Sequence, residues 1–302
     1  MDRAGTLGKH IALPRSWIIW YDNLGGENML KTFRLFLLMT FMGIFLTLGS
    51  IAVSAASTKI PVQMGSQSLD GLIIEEKTYV SLVDFGKAVD KSSTLLSTSG
   101  GVHKISARGI TVSAQLWNSY IEANGRCFYT ETTCRIIDGE LYVPIRPLAY
   151  IFNVDVKWND STRSVTLKDN GGVCKSADEV YWDGAVLWLS RIIYAESRGE
   201  PLLGKIAVGN VVMNRVRSPQ FPNTIYSVIF DKKYGVQFTP VATGAIYNYP
   251  TDECIRAAKI VLEGTTVSTE VLYFMNPRIA TSSWISKNRE FAFKIGNHSF
   301  YK

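Results

Sequence analysis

AVLWLSRIIYAESR, residues 185–198, carries apolar residues on nearly every face of a 3.6-residue period. A helix of that kind is a buried one, and the pattern stays helical from residue 179 onward. Gly199 and Pro201 end it. Glu196 follows Ile193, Ile192 and Leu189 by three, four and seven residues, so its carboxyl falls on the apolar stripe at the helix end. A carboxyl there resists ionising, because burial penalises the charged form. A carboxylic acid still protonated near neutral pH can give its proton to a leaving oxygen, as glycosidic cleavage requires. Taken alone, the residue also has a plainer reading: a helix-end Glu that reaches solvent or pairs with Arg191 or Arg198.

Downstream, Lys205 to Val216 forms a second helix, with Ile206, Val208, Val212 and Val216 among its apolar residues. Thr251 N-caps a third, with Asp252 and Glu253 in its first turn and a stop near Gly264. Glu200, past Gly199, reads as a loop charge. Asp231, Asp252, Glu253, Glu263, Glu270 and Glu290 read as surface or helix-start charges, which leaves Glu196 without a second acid in a comparable setting.

Upstream, residues 58–168 hold short strand-like runs such as Thr78-Tyr79-Val80, Ile110–Ala114 and Leu141-Tyr142-Val143. Asp70-Gly71, Asn124-Gly125 and Asp138-Gly139 mark turns. A weak repeat is visible: GLIIEEKTYVSLVDFGKAVD at 71–90 parallels RIIDGELYVPIRPLAYIFNV at 135–154, each a strand, turn, strand and short helix. Trp158 and Tyr142 are expected in the core, with sugar stacking as the alternative. DNGGVCKSAD at 169–178 reads as a linker.

Residues 35–48, LFLLMTFMGIFLTL, form an uncharged apolar run after Lys31 and Arg34 and before the small residues Val53 to Ala56. That order is a secretory signal cut after Ala55 or Ala56, with an uncleaved membrane anchor as the alternative. Leu24 to Asn28 can be encoded by a purine-rich stretch resembling a ribosome-binding site, so Met29 is the expected start and 1–28 an upstream extension. Outside the membrane, Cys127 and Cys134, flanking the hairpin-like FYTETT, can pair or stay as thiols. The net charge of +6 has no dense Lys/Arg run behind it, which argues against nucleic acid as a partner. Three scattered histidines and no CxxC or HExxH spacing argue against a His-built metal site, and no cofactor is expected.

Two resemblances add to this reading. The run GELYVPIRPLAYIFNVDVKWNDSTRSVTL at 139–167 resembles the stalk module named after the N-terminal domain of copper amine oxidases, a small α+β unit of exported proteins. It lacks copper ligands, and a spacer or wall-adhesion role is expected. The stretch RIIYAESRGEPLLGKIAVGNVVMNRVRSPQFPNTIYSVIF at 191–230 resembles the SleB-type cell-wall hydrolases of spore-forming bacteria. So do QFTPV at 237–241, LYFMNP at 272–277 and TSSWISKNREFAFKIGNHSFYK at 281–302.

The second resemblance implies a mainly helical, lysozyme- and lytic-transglycosylase-like catalytic domain over 179–302, behind the α+β stalk module at 58–168. Its catalytic acid is the Glu of YAESRGE, Glu196. It implies cleavage between N-acetylmuramic acid and N-acetylglucosamine in peptidoglycan, with 1,6-anhydro ends in the characterised type. A lone Glu fits that product, acting first as acid and then as base while the sugar's own 6-hydroxyl attacks; hydrolysis usually takes two carboxylates. From the matched blocks, Gln237 and Phe238 are candidates to line the glycan cleft, Tyr273 and Asn276 to bond N-acetyl groups, Trp284 to stack on a sugar and His298 to touch substrate. Each of these has a packing or loop reading beside the ligand one. The expected partner is the glycan strand of the vegetative wall or spore cortex, with a non-catalytic wall-binding or spore-structural protein as the other possibility and any restraining protein unidentified.

Overall fold

The computed structural model describes residues 57–233 and 235–302. The expected upstream extension at 1–28 and export signal at 29–56 lie outside the described residues. Residues 57–302 form one compact unit.

The unit opens with β1 (Thr58–Met64), β2 (Gln67–Ile74), β3 (Lys77–Ser81) and helix α1 (Leu82–Val89). Five antiparallel strands follow: β4 (Thr94–Ser97), β5 (Val102–Ala107), β6 (Ile110–Gln115), β7 (Tyr120–Ala123) and β8 (Arg126–Tyr129). Then come β9 (Arg135–Ile137), β10 (Glu140–Pro144), α2 (Ile145–Ile151), β11 (Val154–Asn159) and β12 (Ser164–Asp169). The larger sheet runs β11-β12-β1-β2-β3-β10-β9, with only β1 and β12 parallel. The repeat seen in the sequence explains the middle of that order. Its two copies, β2-β3-α1 and β9-β10-α2, join through β3 and β10, where Val143 pairs with Val80, so the copies face each other about that seam. Val80, Phe85, Val143, Leu148 and Phe152 meet Ile105 and Ile121 of the smaller sheet in one buried core.

Two turn expectations hold and one does not. Asn124-Gly125 and Asp138-Gly139 both take left-handed backbones, as two-residue hairpin loops of this type require. Asp70-Gly71 is inside β2, and the turn falls instead at Glu75-Glu76. Gly71 is there for space: a Cβ on it would come 2.5 Å from Val62 Cγ2. Trp158 is a second correction. It is 37% exposed at the sheet edge, its indole N–H donating to Asp160 at 2.6 Å, whereas the core was expected.

The second half comprises α3 (Ala177–Val180), α4 (Ala185–Ser197), α5 (Leu202–Arg217), α6 (Ile225–Ile229), α7 (Thr239–Thr243), α8 (Asp252–Leu262) and α9 (Trp284–Asn288), with a small sheet β13-β15-β14. Its strands are β13 (Tyr273–Met275), β14 (Phe291–Ile295) and β15 (His298–Tyr301). Helix α5 is central and buried from Gly204 through Arg215, with α4 and α8 packed on it and on each other. Gly209 allows that approach, since a Cβ there would come 2.9 Å from Val261 and 3.0 Å from Ile193.

The strand-rich and helical halves share a packed boundary. The β8 residue Cys127 is buried in the same core as Ile192, Ile193 and Val261. Arg126 Nε donates to Glu263 Oε1 at 2.7 Å, Nη2 donates to the other oxygen, and the Tyr181 hydroxyl donates to Oε1. Both ionic side chains are buried. Arg256 pairs with Glu122, and Lys259 donates to the Gly125 carbonyl at 2.6 Å. Residues 169–178 are fastened here too. Cys174 is buried, and Asn124 both donates to its carbonyl and receives the Ala177 N–H. Glu263 is therefore no surface charge. Cys127 and Cys134 are free thiols that belong to different cores, which removes the bridge.

Candidate active site

The segment after α5 and the strand β13 border one cleft, and α4 packs on α5. Helix α4 delivers Glu196 to its last turn, as the sequence period requires. The side chain is half-buried and accepts no hydrogen bond from any other described residue. Burial pushes its carboxyl up to about 7; the Arg215 guanidinium pulls the other way and is outweighed. A carboxyl raised to about 7 is still largely protonated near neutral pH, and no other described residue bonds it.

Arg215 ends the buried run of α5 and is itself 5% exposed. Its Nε donates to the Leu272 carbonyl at 2.8 Å, and its guanidinium carbon stands 4.9 Å from the Phe221 ring centre, 5.0 Å from Phe238 and 5.5 Å from Tyr273. Burial lowers its pKa to about 10. Two asparagines earlier on α5 hold the neighbouring chain in register. Asn210 donates to Thr265 O and receives Val267 N–H, while Asn214 donates to Ser268 O and Val271 O. Those bonds lead the chain from α8 into β13, and so set Tyr273 against Arg215.

The cleft beside them has a volume of about 660 Å³ and is lined by Pro219, Gln220, Phe221, Asp231, Lys233, Gln237, Tyr273, Trp284 and Arg289. Arg289 lies 4.5 Å over the Tyr273 ring and 5.2 Å from Trp284, and donates to the Tyr273 hydroxyl at 3.0 Å. Of the residues singled out in the sequence, Gln237, Tyr273 and Trp284 meet on this cleft, Trp284 being 52% exposed. Phe238 does not: it is buried under Arg215 and Phe274, a core residue. Asn276 uses its side-chain oxygen to accept the Arg278 N–H within its own loop. His298 is buried edge-on to Phe274, its Nδ1 3.5 Å from Glu200 and without a hydrogen bond, and it is not among the residues lining the cleft.

Glu200 is likewise no loop charge. It is buried and accepts both the backbone and side-chain N–H groups of Asn297, clamping the β14–β15 turn to the start of α5. Burial would raise its pKa, but the two Asn297 bonds, with His298 and Lys205, lower it. The residues that the sequence left unmarked are Arg215, Asp231, Phe221 and Arg289. Asp231 in particular was set aside as a surface charge, yet it lines the cleft and is one of the charges acting on Arg215.

Residues 199–301 match the family model described as Cell Wall Hydrolase, a span that opens three residues after Glu196, and residues 50–167 match that of the Copper amine oxidase N-terminal domain. The chain is 40% identical over 122 residues to a spore cortex-lytic enzyme of Bacillus cereus, covering 40% of this chain and 46% of the relative. It is 40% identical over 112 residues to the spore cortex-lytic enzyme of Bacillus subtilis strain 168, covering 37% and 35%. The chain thus spans less than half the length of these curated relatives. Among solved structures, the catalytic domain of a germination-specific lytic transglycosylase, SleB, from Bacillus anthracis is 41% identical, with 40% of this chain and 97% of that one covered and a TM-score of 0.37.

Proposed function

We propose that this chain, a SleB-type cell wall hydrolase region behind a copper-amine-oxidase-N-like region, is an exported enzyme that cleaves the glycan strands of peptidoglycan with Glu196 as its acid. The observation that carries the reading is the Glu196 carboxyl: half-buried, bonded by no other described residue and raised to about 7, with Arg215, which stands against the cleft-lining Phe221 and Tyr273, as the charge acting on it. The half-exposed Trp284 offers a ring face for sugars, and Gln237 a side-chain amide for N-acetyl groups.

In this mechanism the Glu196 proton passes to the glycosidic oxygen between N-acetylmuramic acid and N-acetylglucosamine. The C1–O bond breaks, and its electron pair stays on the leaving oxygen. The Glu196 carboxylate then takes the proton of the muramoyl 6-hydroxyl as that oxygen bonds to C1, leaving a 1,6-anhydro end. Mass spectrometry of fragments released from purified peptidoglycan tests this. The expected fragments are lighter by one water than reducing muropeptides, and Glu196→Gln does not release them. Reducing ends that depend on Glu196 would instead require a water-directing group, for which Asp231 on the cleft wall is a candidate.

A further inference from the structure

A buried guanidinium normally answers a carboxylate, because desolvating a lone charge costs several kcal/mol. Arg215 has no such partner: among the described residues no carboxylate lies within ion-pair distance of it. Its Nη1 is buried without a hydrogen bond. Its compensation comes from the Leu272 carbonyl and the three ring faces of Phe221, Phe238 and Tyr273. A residue needed only to fill this space would be served as well by an apolar chain, without the desolvation cost. The charge must therefore be read from what it faces. The titratable groups acting on it are Tyr273, Asp231 and Glu196, and Tyr273 is itself bonded to Arg289. Seen from the other side, Arg215 is the one charge acting on Glu196 among the described residues.

We infer that Arg215 is a positioning residue for the acid: it is held out of every ion pair so that its charge is free to stabilise the carboxylate that Glu196 becomes once its proton has gone. The inference rests on Glu196 being the proton donor of the proposed cleavage. Before transfer the acid is neutral and the cation gains little from it. At transfer the proton moves to the glycosidic oxygen, and a negative charge appears on Glu196 in a site of low polarity, where an existing opposite charge acts strongly. The interaction is thus larger in the transition state than in the ground state, which is the condition for it to raise a rate. The aromatic cage holds the guanidinium in place throughout.

The test is the titration of the Glu196 carboxyl by carbon-13 NMR, together with the pH–rate profile, in the full chain and in Arg215→Gln and Arg215→Lys. A general acid works while protonated, so activity falls as pH rises through its pKa. With the charge removed in Arg215→Gln, both the titration midpoint and the alkaline limb move up by about one pH unit, and the rate at neutral pH falls about a hundred-fold. Arg215→Lys keeps the limb at the wild-type position. Where the glutamine variant does not hold its fold by near-UV circular dichroism, Arg215→Met, an apolar chain of similar length, is read in its place. A midpoint that ignores the loss of charge overturns the inference, whatever the rate does. A Glu196→Gln chain that still cleaves peptidoglycan strikes instead at the cleavage reading beneath it.

Discussion

Glu196 and Glu200 are four residues apart, one in the last turn of α4 and one past its end, and have opposite environments. Glu200 is bonded twice by Asn297, whereas Glu196 is bonded by no other described residue and is held protonated to about pH 7 by burial. The folded state therefore binds the Glu196 proton more firmly than the unfolded chain does. That contribution to stability is whole below the ordinary value of 4.5 and is lost as the pH rises through about 7. Glu196→Gln accordingly melts higher than wild type at pH 8, by the equivalent of about 2–3 kcal/mol, and close to wild type at pH 4. Paired thermal melts at the two pH values check this, and equal melting points at pH 8 would contradict it. Glu196 was legible from sequence because the helical period alone sets which stripe it joins. Arg215 was not: an arginine at a helix end ordinarily reads as a solvated C-terminal charge. Its burial depends on Phe221, Phe238 and Tyr273, which arrive from three other segments.

At the scale of elements, the three main helices fell close to where their apolar spacing put them, since each is defined by contacts within its own few turns. The repeat at 71–90 and 135–154 was visible for the same reason; of its two turns Asp138-Gly139 follows the local backbone rule, whereas Glu75-Glu76 takes left-handed backbones without a glycine and was not legible. The seam between the copies, β3 on β10, could not be read, because pairing at that separation is a long-range property. The Glu200 clamp is long-range in the same way, joining a carboxylate after α4 to Asn297 nearly a hundred residues later. Glu200→Ala leaves the Asn297 N–H groups without their acceptor and is expected to cost about 2–3 kcal/mol. Hydrogen exchange should quicken across residues 291–301 while α8 keeps its protection; unchanged exchange in that hairpin would contradict the clamp. Because the Glu200 pKa is depressed, the clamp's contribution is present above the ordinary carboxylate range and is lost as the pH falls through its lowered value.

At the scale of the molecule, the sequence suggested two bodies on a polar linker, and the structure shows one compact unit over 57–302. The β7–β8 hairpin supplies Cys127 to the core of the helical half, and Arg126, Glu263 and Tyr181 form a buried polar junction across the boundary. No local pattern announces such a junction, since Glu263 taken alone looks like an exposed helix-end charge. Removing one partner strands the other, so Arg126→Met should lower stability by about 3–5 kcal/mol. Calorimetry of the wild-type chain should show both halves melting in a single transition; two separated transitions would contradict a shared core. The most direct test of the whole account is the rate at which wild-type and Glu196→Gln chains, matched for fold by circular dichroism, release soluble fragments from purified peptidoglycan near neutral pH. Release by wild type and a fall of at least about a thousand-fold in the variant are expected. Equal release by the two would contradict it.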